Sequence, residues 1–545
     1  MNAFASAIPS TLAEAFVAST RRHAPRTALV TAEGTSITYA ELEARVATAV
    51  SVLRSLDCQA GDRIAIWLPN VPEWAVLEYA ASLLGLLIVP VNARYRASEA
   101  EHVLGMSNAR ALFTQESFLT NHYLDRLREI AGGDLGRGDA VDIPKLPALR
   151  HIVVVGQENL ESTAGRAVAG TVSYAALAAA AAPAPDLEQL ARERTPQDRL
   201  WVFWTSGSTS APKGAVLTQS AVSNIWNWTT MARYRADDRV LVARPLFYIA
   251  GNFWALLGPM LHGATSVLGQ HFTPNEIMTL SARERITILS GNPLLLKGVV
   301  NDPACDPDAF KHVRMGYFGG SSASFKDLSD IKKRIGYDYL MQPYGMTELE
   351  GFCMSTHPDD PLELAHKTCG RPLPGFELKL MDPASGQLVP QGQVGELFTR
   401  GRGLVDYEGI SDVDRARLFD AEGWFRTGDL LRLREDGRYE FVGRAKDLIK
   451  VGGENATAAE IETRLMENPD VANVAVVAIP DEKRGEVPLA FVELRNGQAL
   501  NADAMRAWCR ERMAPFKVPA EFRQVPEGEW PMTASGKIMK GQLKV

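Results

Sequence analysis

Residues 36–92 alternate helical and strand-like patterns, and this alternation restricts the possible fold more than any other feature of the sequence. The segment SITYAELEARVATAVSVLRSLD carries apolar residues on one helical face, namely Leu42, Val46, Val50 and Leu53. The strand-like run RIAIWLP follows it, and the apolar helix WAVLEYAASLLGLL then leads into the buried strand IVPVN. Because ARALFTQ and LRHIVVVG continue the series, the sequence predicts an α/β fold with mostly parallel sheets and an active site at the carboxyl ends of strands.

The pattern changes near residue 443, where a smaller α+β unit begins. Thr457 and Glu460 have the spacing of a capping box, and Ile461 and Leu465 open an amphipathic helix behind it. Two strand-like runs, VANVAVVAIP and LAFVEL, and the helix DAMRAWCRERM complete a unit of about a hundred residues, a common domain size. We therefore predict a large N-terminal domain, 1–443, and a small mobile C-terminal domain, 444–545.

Charge and cysteine usage restrict the class of function. The net charge is -7 and the basic residues are scattered, which argues against nucleic acid or an anionic membrane surface as a partner. The most apolar run, 74–92, contains Glu78 and reaches Pro90 after about a dozen apolar residues, too few to form a transmembrane segment. The N-terminus lacks a secretory pattern, and five widely spaced cysteines indicate reduced thiols. We expect a cytoplasmic protein that acts on small molecules.

The stretch TSGSTSAPKG, residues 205–214, has the inventory of a polyphosphate-binding loop. Gly207 lets backbone N–H groups approach an anion, and Lys213 adds a positive charge. Its hydroxyl donors are Thr205, Ser206, Ser208 and Thr209. The spacing of the glycines and Lys213 does not match a Walker A motif, and no Gly-x-Gly-x-x-Gly follows a strand. On composition alone, a polar surface turn is the alternative.

Together with four later motifs, this loop resembles the signature of the adenylate-forming superfamily, which contains acyl-CoA synthetases, nonribosomal peptide adenylation domains and firefly luciferase. The later motifs occur in the family's order and extend over nearly the whole chain: YGMTE (344–348), GWFRTGDL (423–430), GRAKDLIKVGGEN (443–455) and PMTASGKIMK (531–540). The resemblance implies ATP-dependent activation of a carboxylic acid to an acyl-adenylate, with Mg²⁺ as cofactor. Thioester formation with CoA and release of AMP would follow.

The resemblance also implies roles for individual residues. Glu348 would be the metal ligand, Thr347 a phosphate contact, and the loop 205–214 the cradle for pyrophosphate. Asp429 and Arg444 would bind the ribose, and Lys537 would bridge the carboxylate and the α-phosphate. The adenine site would comprise Tyr344, Gly345, Met346, Gly319, Gly320 and Ser321. In isolation, Thr347 and Glu348 would indicate a helix cap, Asp429 a turn and Lys537 a solvated tail.

A two-step reaction requires the small domain to move between steps. Lys446 matches the family's hinge position, about which the small domain would rotate after adenylation. That rotation would withdraw Lys537 and bring Gly452, Gly453 and Glu454 to the channel for the pantetheine arm of CoA. Domain movement of this kind can limit kcat.

The sequence departs from the family pattern at three positions, and one of them bears on the substrate. Ser210 replaces a Gly of the signature loop, Gln219 replaces a His for what we expect to be a structural reason, and Tyr248 stands where many acyl-CoA synthetases have His. Phe247 is not followed by the Asp of amino-acid-activating relatives, which argues against a free amino acid. The predicted acyl pocket suits a fatty, alicyclic or aryl acid and comprises Tyr248, Asn252, Phe253, Tyr317 and Phe318. The alternative is that these aromatic residues belong to the core.

Two rival functions stay open at this stage. An acyl-AMP ligase that loads a carrier-protein thiol has the same adenylation motifs, although GGEN and the lack of a carrier domain favour free CoA. A catalytically inactive binding protein is disfavoured because Lys537, Glu348, Asp429 and Arg444 are all present. The sequence leaves open which acid is used, and whether the protein is a homodimer.

Overall fold

The structure is a computed structural model that describes residues 8–156, 168–183, 185–205, 213–319, 323–383, 385–403, 406–452, 454–532 and 538–543. Eight of the described strands form one sheet. Their spatial order is Val172–Ser173, His151–Val154, Ala111–Thr114, Arg63–Trp67, Leu87–Pro90, Arg199–Thr205, Lys213–Thr218 and Asp406–Glu408. The first six strands pair in parallel, and the last two pairings are antiparallel, so that only Lys213–Thr218 runs against the other seven strands. Ala111–Thr114 and Leu87–Pro90 are buried throughout, as expected for a parallel sheet covered on both faces.

Seven further strands within the described ranges form a second sheet. Their spatial order is Tyr339–Met341, Met315–Tyr317, Ile288–Leu289, Arg239–Val242, Thr265–Leu268, Thr27–Val30 and Ser36–Thr38. All neighbouring pairs are parallel except the last. The two sheets share one hydrophobic core, and a second core covers the other face of this sheet. The predicted α/β fold with mostly parallel sheets is confirmed.

Local sequence signals account for the main helices. Tyr39–Ser55 begins at a capping box formed by Thr38 and Glu41, and Pro72–Leu84 ends at Gly85, whose φ of 69° suits glycine. The other α-helices are Leu12–His23, Ala97–Ser107, Tyr123–Ala131, Tyr174–Ala179, Leu187–Arg192, Ala221–Met231, Ile249–Asn252, Gly258–His262, Pro274–Arg283, Pro293–Asn301, Phe325–Ile335, Leu362–Lys367, Asp412–Leu418, Ala458–Leu465 and Ala502–Arg510. Within the described ranges, no helix is both long and apolar enough to cross a membrane.

An antiparallel sheet leads from the large domain to the small one. Its strands are Glu377–Met381, Val394–Arg400, Phe425–Leu433 and Tyr439–Arg444. A 3₁₀ turn, Ala445–Asp447, follows directly, and it contains the predicted hinge residue Lys446. The last of these strands thus ends at Arg444, the first residue of the predicted small domain. The domain boundary at 443/444 stays a prediction.

The small domain has the predicted α+β composition. Its sheet contains Glu454–Thr457, Leu448–Val451, Gly485–Leu494 and Val471–Asp481, with Glu521–Gln524 beside Gly485–Leu494. Ala458–Leu465 begins at the predicted capping box, in which Thr457 Oγ1 accepts from the Glu460 N–H at 3.3 Å. The domain has its own core on each face of its sheet. It contacts the large domain through Arg495, whose guanidinium lies 3.7 Å from the Asp327 carboxylate.

Candidate active site

Asp429 lies at the centre of a cluster that joins the predicted ribose and adenine residues. The Tyr344 hydroxyl donates to Asp429 Oδ2 at 2.7 Å, and Arg444 Nε lies 3.2 Å from Oδ1. Antiparallel pairing of strands Phe425–Leu433 and Tyr439–Arg444 places Asp429 directly opposite Arg444. Only 4% of Asp429 is exposed, and desolvation, followed by the charge of Asp429, raises the pKa of Tyr344. The cluster is thus a fixed carboxylate with a hydroxyl and a guanidinium directed at it.

Glu348, the predicted metal ligand, is fixed by a tyrosine on a distant strand. It lies in the 3₁₀ turn Thr347–Leu349, and the Tyr407 hydroxyl donates to Glu348 Oε1 at 2.6 Å. Tyr407 pairs with Ala215 on the strand that follows the signature loop. The sheet therefore positions Glu348 beside the second strand of the signature hairpin. No part of the sequence pattern pointed to Tyr407.

The signature loop spans the end of an antiparallel hairpin. Its residues Ser206, Gly207, Ser208 and Thr209 lie outside the described residues. At its ends, Thr205 on strand Arg199–Thr205 pairs with Lys213 on strand Lys213–Thr218. The hairpin thus places the ammonium-bearing Lys213 at the base of the loop.

A magnesium ion would fit this arrangement with one protein carboxylate as its ligand. Among the described residues there is no group of three or more His, Cys, Asp or Glu side chains that could hold a metal ion. Mg²⁺ in nucleotide enzymes commonly takes one or two carboxylates together with substrate phosphates and water, so the oriented Glu348 carboxylate suffices. The sequence-based assignment of Glu348 is compatible with this chemistry and stays a prediction.

The five predicted acyl-pocket residues do not all line one surface. Phe253 is fully buried, with its ring centroid 4.9 Å from that of Trp201, and Asn252 is 1% exposed. Tyr317 packs in the core between the sheets, whereas Phe318 packs in the core on the other face of the second sheet. Consecutive strand residues point to opposite faces, so Tyr317 and Phe318 cannot share a wall. Tyr317 packs beside Phe352 and Trp228, with ring centroids 5.7 and 5.1 Å away.

Tyr248, which replaces the family's usual His, is held as a neutral phenol. Its hydroxyl accepts from Asn92 Nδ2 at 3.3 Å, and burial raises the pKa of Tyr248 to about 12. A neutral phenol of this kind cannot take a proton from a thiol near pH 7, since its oxygen is a weak base. Any assistance to the second step by Tyr248 would therefore be positional.

Gln219, the other departure that the structure describes, has a structural role, as expected. It is fully buried, accepts from the Ala13 N–H at 3.2 Å and donates to the Ser82 carbonyl at 2.9 Å. These bonds tie the first helix and the helix Pro72–Leu84 to the end of the signature hairpin. Ser210 lies outside the described residues.

The other predicted site residues are divided between the described and undescribed parts of the chain. Gly345, Met346 and Thr347 follow Tyr344 directly, and Gly319 follows the strand Met315–Tyr317 by two residues. Gly452 has a φ of 60°, and Glu454 begins the strand Glu454–Thr457. Gly320, Ser321, Gly453 and Lys537 lie outside the described residues.

Glu78 is a buried carboxyl group that the site prediction did not use. It is fully buried on the helix Pro72–Leu84, where Trp201 Nε1 donates to Oε1 at 2.7 Å and Asn252 Nδ2 donates to Oε2 at 2.9 Å. Burial outweighs both hydrogen bonds and raises the pKa of Glu78 to about 7. The signal that could have marked it is a carboxylate in the apolar interior of the helix, beyond Glu73 of the first turn.

We expect Glu78→Gln to change the pH dependence of stability. Because the pKa of Glu78 is higher in the folded state than the usual 4.5, its contribution to stability is fully present below pH 4.5 and is lost as the pH rises to about 7. The variant lacks this loss, so its free energy of unfolding relative to wild type should rise by about 2 to 3 kcal/mol from pH 5 to pH 8. Rotation of the Asn252 amide, whose Oδ1 has no partner among the described residues, would preserve both hydrogen bonds.

Urea unfolding of both proteins at the two pH values measures this effect. Glu73→Gln, in the first turn of the same helix, is the matched control for the loss of one negative charge. An equal difference in unfolding free energy between Glu78→Gln and wild type at pH 5 and pH 8 would contradict the prediction.

Comparison with known proteins identifies the family to which this geometry belongs. Residues 16–406 match the AMP-binding enzyme family, and residues 460–537 match the AMP-binding enzyme C-terminal domain. The chain is an AMP-binding enzyme. The first match covers most of the chain and contains Tyr344 and Glu348, and the second ends at Lys537. The suspected relationship to the adenylate-forming superfamily is thereby confirmed.

The relatives of this AMP-binding enzyme align with it over almost its whole length. A Mycobacterium tuberculosis relative, 3-[(3aS,4S,7aS)-7a-methyl-1,5-dioxo-octahydro-1H-inden-4-yl]propanoyl:CoA ligase, is 32% identical, with 95% of each chain covered. The mitochondrial medium-chain acyl-CoA ligase ACSF2 of Mus musculus is 30% identical, over 98% of this chain and 87% of the relative. Among solved structures, ATP-bound MatB from Rhodopseudomonas palustris superposes with a TM-score of 0.82 at 25% identity, covering 97% of this chain and 98% of MatB.

Proposed function

We propose that this AMP-binding enzyme is an ATP-dependent carboxylic acid:CoA ligase. In the first step a carboxylate oxygen attacks the α-phosphorus of ATP, and pyrophosphate leaves. In the second step the thiol of CoA attacks the acyl carbon, the thioester forms, and AMP leaves with loss of the thiol proton. The observation that carries the proposal is the Tyr344–Asp429–Arg444 cluster, which has the groups to bind a nucleoside. Glu348 follows Tyr344 by four residues.

Each described residue of the proposed site has a physical role. The Asp429 carboxylate can accept hydrogen bonds from ribose hydroxyls, and Arg444 holds that carboxylate in place. Glu348, oriented by Tyr407, would hold a Mg²⁺ ion bound to the phosphates. That ion would neutralise developing negative charge on the phosphate oxygens. Lys213, at the base of the signature loop, adds a positive charge for the departing pyrophosphate.

Free CoA is the proposed acceptor, and a carrier-protein thiol is the rival. The names of the relatives support CoA, since the mycobacterial and murine proteins are both CoA ligases. We further propose a cytoplasmic enzyme of fatty acid metabolism. All five cysteines are described and free, as expected in a reducing compartment.

A pyrophosphate-release assay tests the proposed function. A panel of carboxylic acids would be supplied with ATP and Mg²⁺, with and without CoA, and the thioester would be measured by mass. We expect pyrophosphate release with at least one acid and a CoA thioester of that acid. Release without any thioester would favour the carrier-protein rival, and no release with any acid would contradict the ligase function.

Lys446→Pro is expected to separate the two half-reactions. Lys446 is the middle residue of the turn Ala445–Asp447, and a proline there fixes one backbone dihedral and restricts the residue before it. If the small domain rotates about this turn, adenylation should change by less than about 3-fold, while thioester formation should slow at least about 10-fold. Rapid-quench measurements of acyl-adenylate and thioester report the two steps.

Lys446→Ala is the control for the Lys446 side chain, because it leaves the backbone free to rotate. An unchanged rate of thioester formation in Lys446→Pro would argue against rotation at this turn. Equal slowing in both variants would assign the effect to the lysine side chain instead.

A further inference from the structure

Arg244 has buried guanidinium nitrogens without a partner in a protein where other enclosed arginines are paired. Its Nε and Nη2 atoms are inaccessible to solvent and have no hydrogen-bond partner among the described residues, while the side chain as a whole is half-buried. By contrast, Arg402 Nε lies 3.2 Å from the Glu350 carboxylate, and Arg314 Nε donates to Asp238 Oδ1 at 3.0 Å. The Nε atoms of Arg194, Arg434 and Arg438 are also buried without a hydrogen bond, but each of these arginines has a carboxylate within 4 Å. Among the described residues, Arg244 has no such carboxylate.

Removal of a guanidinium from water is costly unless an anion or several acceptors replace the water. Burial lowers the pKa of Arg244, and the Tyr317 hydroxyl is its compensating neighbour. Burial raises the pKa of Tyr317 to about 12, and the charge of Arg244 opposes that rise. A neutral phenol is a weaker partner for a guanidinium than a carboxylate is. An anion at this position would therefore stabilise Arg244 more than its protein neighbours do.

Arg244 lies two residues beyond the carboxyl end of the strand Arg239–Val242 in the second sheet. Parallel pairing sets Val240 beside Ile288 and Ile288 beside Met315, and a bridge joins Gly291 to Phe318. Counting forward along these strands brings Arg244 level with Asn292 and with Gly319, the first glycine of the predicted adenine turn. These residues follow the carboxyl ends of neighbouring parallel strands, where α/β proteins bind ligands.

The backbone around Arg244 is held firmly, which fixes the origin of its side chain. Asn70 Nδ2 donates to the Arg244 carbonyl at 2.9 Å. A Cβ atom added at Gly251 would lie 2.9 Å from the same carbonyl oxygen, so the following helix packs tightly against this segment. The ring of Tyr317 packs beside Trp228 and Phe352, and these contacts fix the Tyr317 side chain.

From this placement we propose that Arg244 binds a second carboxylate of the acid substrate, so that the enzyme activates one end of a dicarboxylic acid. The inference rests on the proposed ligase function and specifies its substrate class. One carboxylate would react with ATP near Asp429 and Glu348. The other would pair with the Arg244 guanidinium.

Paired acids that differ only in the second carboxylate test this assignment. Adipate against hexanoate, and terephthalate against 4-methylbenzoate, would be compared by kcat/KM for pyrophosphate release. We expect wild type to prefer the diacid of at least one pair by about 100-fold, because a buried polar site rejects analogues that leave it unpaired. Arg244→Met should abolish that preference while changing kcat/KM for the monoacid by less than about 3-fold, and Arg244→Lys should retain part of it.

Binding measurements separate this inference from the ligase function. Calorimetry would compare two acyl-sulfamoyl adenosines, one ending in a carboxylate and one in a methyl group, on wild type and on Arg244→Met. Arg244→Gln would replace the methionine variant if that variant does not fold. If wild type binds the carboxylate analogue more tightly than the methyl analogue and Arg244→Met does not, the proposed role of Arg244 is supported. This conclusion holds even if no acid releases pyrophosphate and the ligase function fails.

Two results would overturn the assignment. One is an active ligase that prefers the monoacid of every pair and binds both analogues equally. The other is an Arg244→Met variant that loses both acids of a pair to the same extent, because that loss would assign Arg244 a general structural role.

Discussion

Asp429→Ala is expected to lower kcat/KM for ATP by about 1000-fold, which corresponds to about 4 kcal/mol, the loss typical of removing one partner of a buried, hydrogen-bonded charge pair. The Asp429 carboxylate accepts from Tyr344 at 2.7 Å and faces Arg444 Nε at 3.2 Å. Alanine would remove the acceptor for the ribose and leave both neighbours without their partner. Steady-state pyrophosphate release, with ATP varied at saturating acid, measures the effect.

Asp436→Ala is the matched control, since Asp436 is exposed in the turn between the two strands that carry Asp429 and Arg444. It accepts from the Arg438 N–H at 3.1 Å, away from the proposed nucleotide site. Tyr344→Phe should show an intermediate loss, because it removes only the hydroxyl. If Asp429→Ala and Asp436→Ala had the same kcat/KM for ATP, the nucleotide assignment of the cluster would be wrong.

Lys537→Ala is expected to lower the rate of adenylation by about 100- to 1000-fold while leaving thioester formation from supplied acyl-adenylate within about 3-fold of wild type. An ammonium at this position would stabilise charge on the carboxylate and the α-phosphate in the first step only. In the second conformation the small domain would present Gly452 and Glu454 instead. Single-turnover assays of the two half-reactions measure both rates.

Lys540→Ala controls for the loss of a positive charge in the same segment. Lys540 Nζ lies 2.7 Å from Glu462 Oε1 within the small domain, so its removal should affect stability more than adenylation. Equal loss of both half-reactions in Lys537→Ala would contradict the two-conformation mechanism. Full adenylation activity would show that another cation serves the first step.

Candidate site residues within motifs could be predicted because each motif is recognised from residues that are close together in the sequence. Asp429, Tyr344 and Glu348 each stand in a short motif that resembles a motif of the superfamily. The capping box of Thr457 and Glu460 was predictable for the same reason, since its two hydrogen bonds connect residues three apart.

Residues that act through distant contacts were not predictable in this way. Tyr407 reaches Glu348 across 59 positions of sequence, and Trp201 reaches Glu78 across 123. The predicted acyl pocket shows the same limit, because a strand turns Tyr317 and Phe318 to opposite faces. Aromatic residues in a sequence fit a substrate pocket and a hydrophobic core equally well, until the structure shows which face of the sheet each side chain occupies.

The sequence by itself determined the α/β class and the superfamily, since periodicity and the order of the motifs encode them, and it predicted the roles of the motif residues. Only the tertiary structure decided which groups meet. It brought Tyr344 to Asp429 and Tyr407 to Glu348, and it left Nε and Nη2 of Arg244 buried without a hydrogen-bond partner among the described residues. The physical reason is that these contacts join residues of separate sheets and turns, whose packing depends on the whole chain and not on local spacing.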